Sequence, residues 1–308
     1  MLDLRPEYLL LRGRMNRRLT AAEVERGASS APAARAQPPS LFDHDVLAVE
    51  AIARFDDDPD FVTALDRGLA ILLVLSDKKR RMSISQVSHR TGIPRAAARR
   101  SLHTLECLGF VAADEARHFY LRPRVLSFSH AYLAASPLAV LAQPILDRLG
   151  ETLHEACSLA ILDGEEIVYL ARSATSRIMS PALNVGRRLP AYCTSIGQVL
   201  LAYLPPEELE AYFARAHFHP YTEYTLTSAD RLHEALEAVR SNGVAFASQQ
   251  MERRLSTIAV PVRDAGGHYV AGMNVILHGR LLSIADMTER FYRPLHDAAM
   301  ELGSLILG

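Results

Sequence analysis

Between Ser83 and Gly109 the chain spells two short helices joined by a tight turn, and few folds accept that combination. Ser83 with Gln86 three positions on is a reciprocal cap: the hydroxyl accepts the Gln86 N–H while the amide reaches back to Ser83. Ile84 and Val87 give this helix an inward face, and Thr91-Gly92 breaks it. Pro94 then suits the first position of a second helix, where its missing N–H is no loss. Ala98, Leu102 and Leu105 supply that helix's buried stripe, and Gly109 closes it where left-handed backbone is wanted. Upstream, FVTALDRGLAILLVLS places Val62, Leu65, Leu69, Leu72 and Leu73 at helical spacing, defining one apolar face. Downstream, FVAADEARHFYLRP (110–123) fits two strands with a charged tip, a wing, and VLSFSHAYLAAS (125–136) reads as a connecting helix.

In a winged helix-turn-helix the second helix of the pair presents its first residues to base edges in the major groove. Here these are Arg95, Ala96 and Arg99, with Arg100 and His103 nearer the edge, where phosphate contact is expected. Ser83 completes the DNA-binding set, and Lys78, Lys79, Arg80, Arg81, Arg117 and His118 are further phosphate candidates. Two arginines one turn apart are by themselves usually a solvated face; the cap, turn, proline, glycine and wing together point to DNA.

Charge segregation agrees. From Ser76 to Arg124 there are eleven Lys/Arg against four Asp/Glu, and from Pro137 to Gly308 fourteen Arg against nineteen acids, within an overall charge of −1. A basic segment on a mildly acidic body suggests a local polyanion contact.

At 308 residues two domains are expected. Residues 1–60 carry little periodicity, and GASSAPAARAQPPS is low in complexity, so a disordered N-terminal extension is expected there. The DNA-binding domain is assigned to 61–123, a linker helix to 124–140, and an effector domain to 141–308. After Pro137 the pattern turns to hairpins: CSLAILDGEEIVYLARS, with Asp163-Gly164 suited to a type I′ turn, and TIAVPVRDAGGHYVAGMNVIL. Helices are expected at 195–203, 206–215, 229–241 and 284–306. The fold class is α+β, an antiparallel sheet with helical cover. No window is long and apolar enough for a membrane span, and the start lacks a signal-peptide pattern. Cys107, Cys157 and Cys193 are odd in number and far apart, which argues for a reducing, cytoplasmic setting and against a disulfide framework or zinc site.

The blocks ALDRGLAIL, HRTGIPRAAARRSLHTLECLGFV, FYLRPRVLSFSHAYL, GRRLPAYCTSIGQVLLAYL and STIAVPVRDAGGHYVAGMNV resemble the IclR family over nearly all of 61–308. HEACSLAILDGEEIVYLARSAT and RIMSPALNVGRRLPAYCTS are most similar to its branch controlling aromatic-acid catabolism through the β-ketoadipate pathway. The resemblance implies a GAF-like effector domain, a homodimer or homotetramer, double-stranded operator DNA as partner, and a small carboxylate effector, with no cofactor or metal. Ala97 stands where the family often has Thr, so a hydroxyl contact is lost.

Thr194-Ser195 precedes an apolar-periodic helix, whose N-terminus can bind a carboxylate through free N–H groups; an ordinary N-cap is the plainer explanation. The resemblance makes Thr194, Ser195 and Ile196 effector contacts, with Met179 and Tyr192 as apolar walls. It places the opposite wall in ASQQMERRLST (247–257), where Ser248 and Gln250 stand at usually acidic positions, Arg254 at a Gly and Ser256 at an Arg. Gln250 and Ser256 therefore join the effector set, and neutral groups there would weaken repulsion of an anion. Arg187 and Arg188 are further carboxylate candidates. Against an enzyme stands the lack of a GxSxG, Walker A, HExxH or GxGxxG motif in context. The sequence is also compatible with a regulator of a non-aromatic carbon pathway, and with a DNA-binding module that lacks a functioning effector site.

Overall fold

The computed structural model describes residues 58–76, 81–173 and 184–306. Nearly all of the expected N-terminal extension, together with Lys78, Lys79, Arg80 and Met179, lies outside them.

Helix α1 (Thr63–Ser76), α2 (Ile84–Thr91) and α3 (Arg95–Cys107) pack around Ile71, Leu75, Val87, Ile93, Ala98 and Leu102. Both bonds of the capping box form at Ser83, and Gly92 turns the chain with a φ of 68°. Pro94 sits one position earlier than expected: it is the N-cap of α3, with a ψ of 139°, and the helix starts at Arg95. Strands β1 (Val111–Ala113) and β2 (Phe119–Leu121) make the wing, and Met82 adds a bridge to Phe119 in front of α2. The apolar face expected on α1 is the wrong one for the core. Val62, Leu65, Leu69 and Leu73 are 49–62% exposed, while Ile71 and Leu75 on another stripe are buried.

A short 3-10 turn leads into α4 (Leu126–Ala135), none of whose residues is buried. At Ser136 the chain bends by 81° into α5 (Pro137–Leu153). The Ser136 hydroxyl caps α5 by accepting the Ala139 N–H. No single helix among the described residues is long and apolar enough to cross a membrane.

The rest is a six-stranded antiparallel sheet of order β5-β4-β3-β8-β7-β6, built from β3 (Ala156–Asp163), β4 (Glu166–Arg172), β5 (Arg188–Pro190), β6 (Ala245–Ser248), β7 (Leu255–Arg263) and β8 (Tyr269–His278). The closing pair of the first hairpin is Asp163–Glu166, so Gly164 and Glu165 form its turn. Only Gly164 has positive φ, whereas type I′ needs it at both central residues.

One face of the sheet is covered by α5 and α10 (Arg293–Leu305), and the other by α6 (Ser195–Ala202), which packs in turn on α8 (Ala229–Asn242). Helix α7 (Pro206–Arg215) adds Leu209 and Tyr212 to the second core, and the short α9 (Ile284–Met287) adds Met287 to the first. Helix α6 is buried throughout, a consequence of its lying between sheet and helix. It gets that close because of glycines. A Cβ on Gly197 would stand 2.1 Å from the Ala191 carbonyl oxygen, and one on Gly272 would stand 2.7 Å from Ile196 Cγ2.

Two measurements check this packing. Gly197→Ala forces the backbone of α6 off residue 191 and should destabilise the chain by about 2–3 kcal/mol, the upper range for overpacking, read as a lowered Tm. Burial pushes the Cys157 thiol up to about 12 and raises the Cys193 thiol as well, while Cys107 is exposed. Thiolate is the reactive form. At pH 8 a thiol reagent should therefore titrate one cysteine quickly, and all three only after denaturant is added.

Candidate DNA-binding surface and effector cavity

Along α3 the residues opposite Ala98, Leu102 and Leu105 form a polar strip. Arg95, Arg99 and His103 lie in one row at spacings of four, with Ala96 and Arg100 beside them, and all five are exposed. The expected reading helix is thus assembled with its basic side outward. Ser83 stands at the start of α2, where its hydroxyl accepts the Gln86 N–H at 3.3 Å.

Asp114 organises the wing, which sequence reasoning missed. Its Oδ1 accepts the His118 N–H at 2.8 Å, and that bond, more than the nearby Arg81 guanidinium, holds its carboxyl below the usual range. Arg81 Nη1 lies 3.1 Å from Asp114 Oδ2, and its guanidinium stands 4.8 Å from the centre of the Tyr120 ring. Two expected phosphate ligands, Arg81 and His118, are therefore already tied to one carboxylate. Arg117, at the tip with a φ of 59°, is exposed beside Phe119.

On the other half, a small cavity of about 30 Å³, opening into a wider recess of about 380 Å³ that includes solvent, lies where α6 begins over the sheet. Thr194, Ser195 and Gln250 line it, as the sequence suggested. The Thr194 hydroxyl caps α6 by accepting the Gly197 N–H at 3.2 Å. The N–H groups of Ser195 and Ile196 have no acceptor among the described residues, as expected of a helix's first turn. Gln250 is positioned by Gln198, whose buried amide donates to Gln250 Oε1 at 3.2 Å and to the Tyr192 carbonyl at 2.9 Å. Thr225 donates to the Gln250 carbonyl at 2.7 Å and Thr222 to that of Gln249 at 2.6 Å.

Three expected contacts stand elsewhere. Tyr192 is buried beside Phe218, and its hydroxyl donates to the His219 carbonyl at 2.7 Å. It anchors a loop rather than walling the cavity. The Ile196 side chain is spent on Gly272, leaving only its N–H for a ligand. Ser256 is paired with Leu277, in the core under α5 and α10, and its Oγ is 3.2 Å from Ser248 Oγ. Its neighbour Thr257 lines the cavity instead, because alternate strand residues face opposite sides.

The lining residues missed from sequence are chiefly Tyr169, Asn274 and Thr257, with Leu189, Met251 and Ile276 as apolar wall. Asn274 was legible in principle, as the lone amide in the apolar run GMNVIL. Arg188 is no ligand candidate in this geometry: Glu166 and Asp163 each hold it at 2.6 Å. Arg187 is not part of the lining. Arg254 adopts a φ of 61°, a left-handed conformation that favours glycine, at the position where the family resemblance implies a Gly. Among the described residues no group of three or more His, Cys, Asp or Glu is placed to hold a metal.

Comparison with known proteins matches both halves. The helix-turn-helix domain of IclR matches residues 64–115, and the C-terminal domain of the bacterial transcriptional regulator IclR matches 130–303. The chain is 42% identical to the Pca regulon regulatory protein of Pseudomonas putida, over 90% of this chain and 94% of that one. It is 34% identical to the p-hydroxybenzoate hydroxylase transcriptional activator of Acinetobacter baylyi, over 80% and 93%. A crystal structure of a transcriptional regulator from Rhodococcus sp. RHA1 superimposes with a TM-score of 0.68 at 40% identity, covering 80% of this chain and 98% of that one. With a winged helix-turn-helix at one end and a sheet-and-helix cavity at the other, the chain belongs to the IclR family of bacterial transcriptional regulators.

Proposed function

We propose that the chain binds double-stranded operator DNA through Arg95, Ala96, Arg99, Arg100 and His103, and responds to a small carboxylate from aromatic-compound catabolism. The exposed row Arg95–Arg99–His103 on a capped helix pair is the observation that carries the DNA half. The unpaired N–H groups at the start of α6 support the carboxylate half. The aromatic source rests on the relatives named for the Pca regulon and for p-hydroxybenzoate hydroxylase. In this reading residues 61–123 are the DNA-binding domain, 124–140 the linker, and 141–308 the effector domain of a cytoplasmic regulator.

The working unit is a homodimer or a pair of dimers. The exposed apolar row of α1 and the bare helix α4, with Leu126, Phe128 and Tyr132 more than half exposed, are surfaces that a second copy would cover. Effector control then follows from differential affinity. The acid binds one arrangement of the two chains better than another, and that shifts the spacing of the two α3 helices.

Fluorescence anisotropy on the chain's operator, beside a random duplex, tests the DNA half. Arg99→Ala should weaken specific binding by about 1–3 kcal/mol and leave random-duplex binding nearly unchanged. Equal loss on both duplexes would make Arg99 a phosphate contact. For assembly, a Leu65→Glu, Leu69→Glu double variant should sediment as a monomer and bind operator at least tenfold more weakly, with its helical circular dichroism intact. A variant that stays dimeric would remove α1 from the interface.

A further inference from the structure

The cavity has a second polar wall, on the sheet, that carboxylate capture by α6 leaves unused. Asn274 on β8 is 2% exposed and Tyr169 on β4 is 3% exposed, and both line the cavity. The Asn274 amide lies beside the Tyr169 hydroxyl, while Asn274 Oδ1 has no hydrogen-bond partner among the described residues. Ser158, paired with Asn274 across β3 and β8 and so on the same face, is buried with its Oγ also unpartnered. At the helix start the Ser195 Oγ, 1% exposed, is in the same condition. Buried polar groups in native proteins are almost always hydrogen-bonded, so a cluster of unmet ones around a cavity describes the ligand that completes it.

The chemistry of that ligand follows from what the wall offers. No described lining residue carries a charged side chain. Burial pushes the Tyr169 hydroxyl up to about 12, against the opposing pull of Asn274, Arg172 and Arg187, so it stays protonated and able to donate. Neither of those arginines is in the lining. A hydroxyl donates and accepts together, which matches a wall holding both a free O–H and a free amide oxygen. A second carboxylate would face only neutral groups there, and an uncompensated buried charge is strongly unfavourable.

We propose that Asn274 and Tyr169 are specificity-determining residues, and that the cavity selects a monocarboxylate bearing a neutral hydroxyl over both the unsubstituted acid and a dicarboxylate. The proposal rests on the carboxylate-effector reading above. The helix start holds the acid group, Leu189, Met251 and Ile276 hold the apolar body, and the sheet wall reads the hydroxyl.

Isothermal titration of the full chain with benzoate, 3-hydroxybenzoate, 4-hydroxybenzoate and terephthalate tests it. At least one hydroxybenzoate should bind tenfold or more tightly than benzoate, with terephthalate weaker than either, because a site built for a hydroxyl rejects analogues lacking it. Asn274→Leu should bring that hydroxybenzoate and benzoate within about threefold of each other. Tyr169→Phe, which removes a single oxygen, should narrow the same gap and serves if the first variant does not fold. Equal binding of benzoate and both hydroxybenzoates, or terephthalate as tight as either, would overturn the selectivity while leaving the carboxylate reading in place. Unchanged discrimination in a folded variant would overturn the assignment to these residues. No binding by any of the four acids would bring down the aromatic-carboxylate reading and this proposal together.

Discussion

The contact between Gly197 and the Ala191 carbonyl sets the geometry of the whole sensor half. It lets α6 lie close above its own approach segment, with Ile196 seated on the bare backbone of Gly272. From that seating follow the position of the Thr194 cap, the direction of the free N–H groups and the height of the helix above Asn274. Interiors are packed as tightly as organic crystals, so a shift of one methyl group there is not absorbed locally. The same seating makes α6 a stiff reporter, because any ligand that pushes on its first turn pushes on the sheet as well.

Charge is kept to the margins of this half. Arg188 is clamped by Glu166 and Asp163 at one sheet edge, and Arg215 pairs with Glu165 at 2.6 Å beside it. The described interior of the cavity is left to amide, hydroxyl and backbone dipoles. Such groups stabilise one negative charge without the penalty of burying a positive one. The DNA-binding half is arranged the opposite way, with its cations outward on α3 and its one organising carboxylate, Asp114, inside the wing.

Local signals were legible in the sequence and long-range ones were not. The capping box at Ser83, the break at Gly92 and the stop at Gly109 each involve atoms within a few residues, and each was found where expected. The outer face of α1 was misread because the helix carries two apolar stripes, and spacing alone does not say which one meets Ile93 and Leu102. Ser256 was misplaced for a related reason. Helices cover both faces of the sheet, so STIAVPV lacks the polar–apolar alternation that would reveal which residues face the cavity. Thr194, Ser195 and Gln250 were found through the family resemblance rather than any period. Tyr169 and Asn274, on strands far from them in sequence, needed the sheet order to bring them together.

Helix α4 buries no residue fully: Leu133 packs half-buried against the core of the sheet half, and Phe128 stacks on Phe110, with ring centres 5.6 Å apart. Ten residues is below the length at which an isolated helix persists in water. Its helical state therefore leans on those two contacts and on whatever covers its apolar side. Under the dimeric reading proposed above, protein concentration would then set how firmly this helix is held.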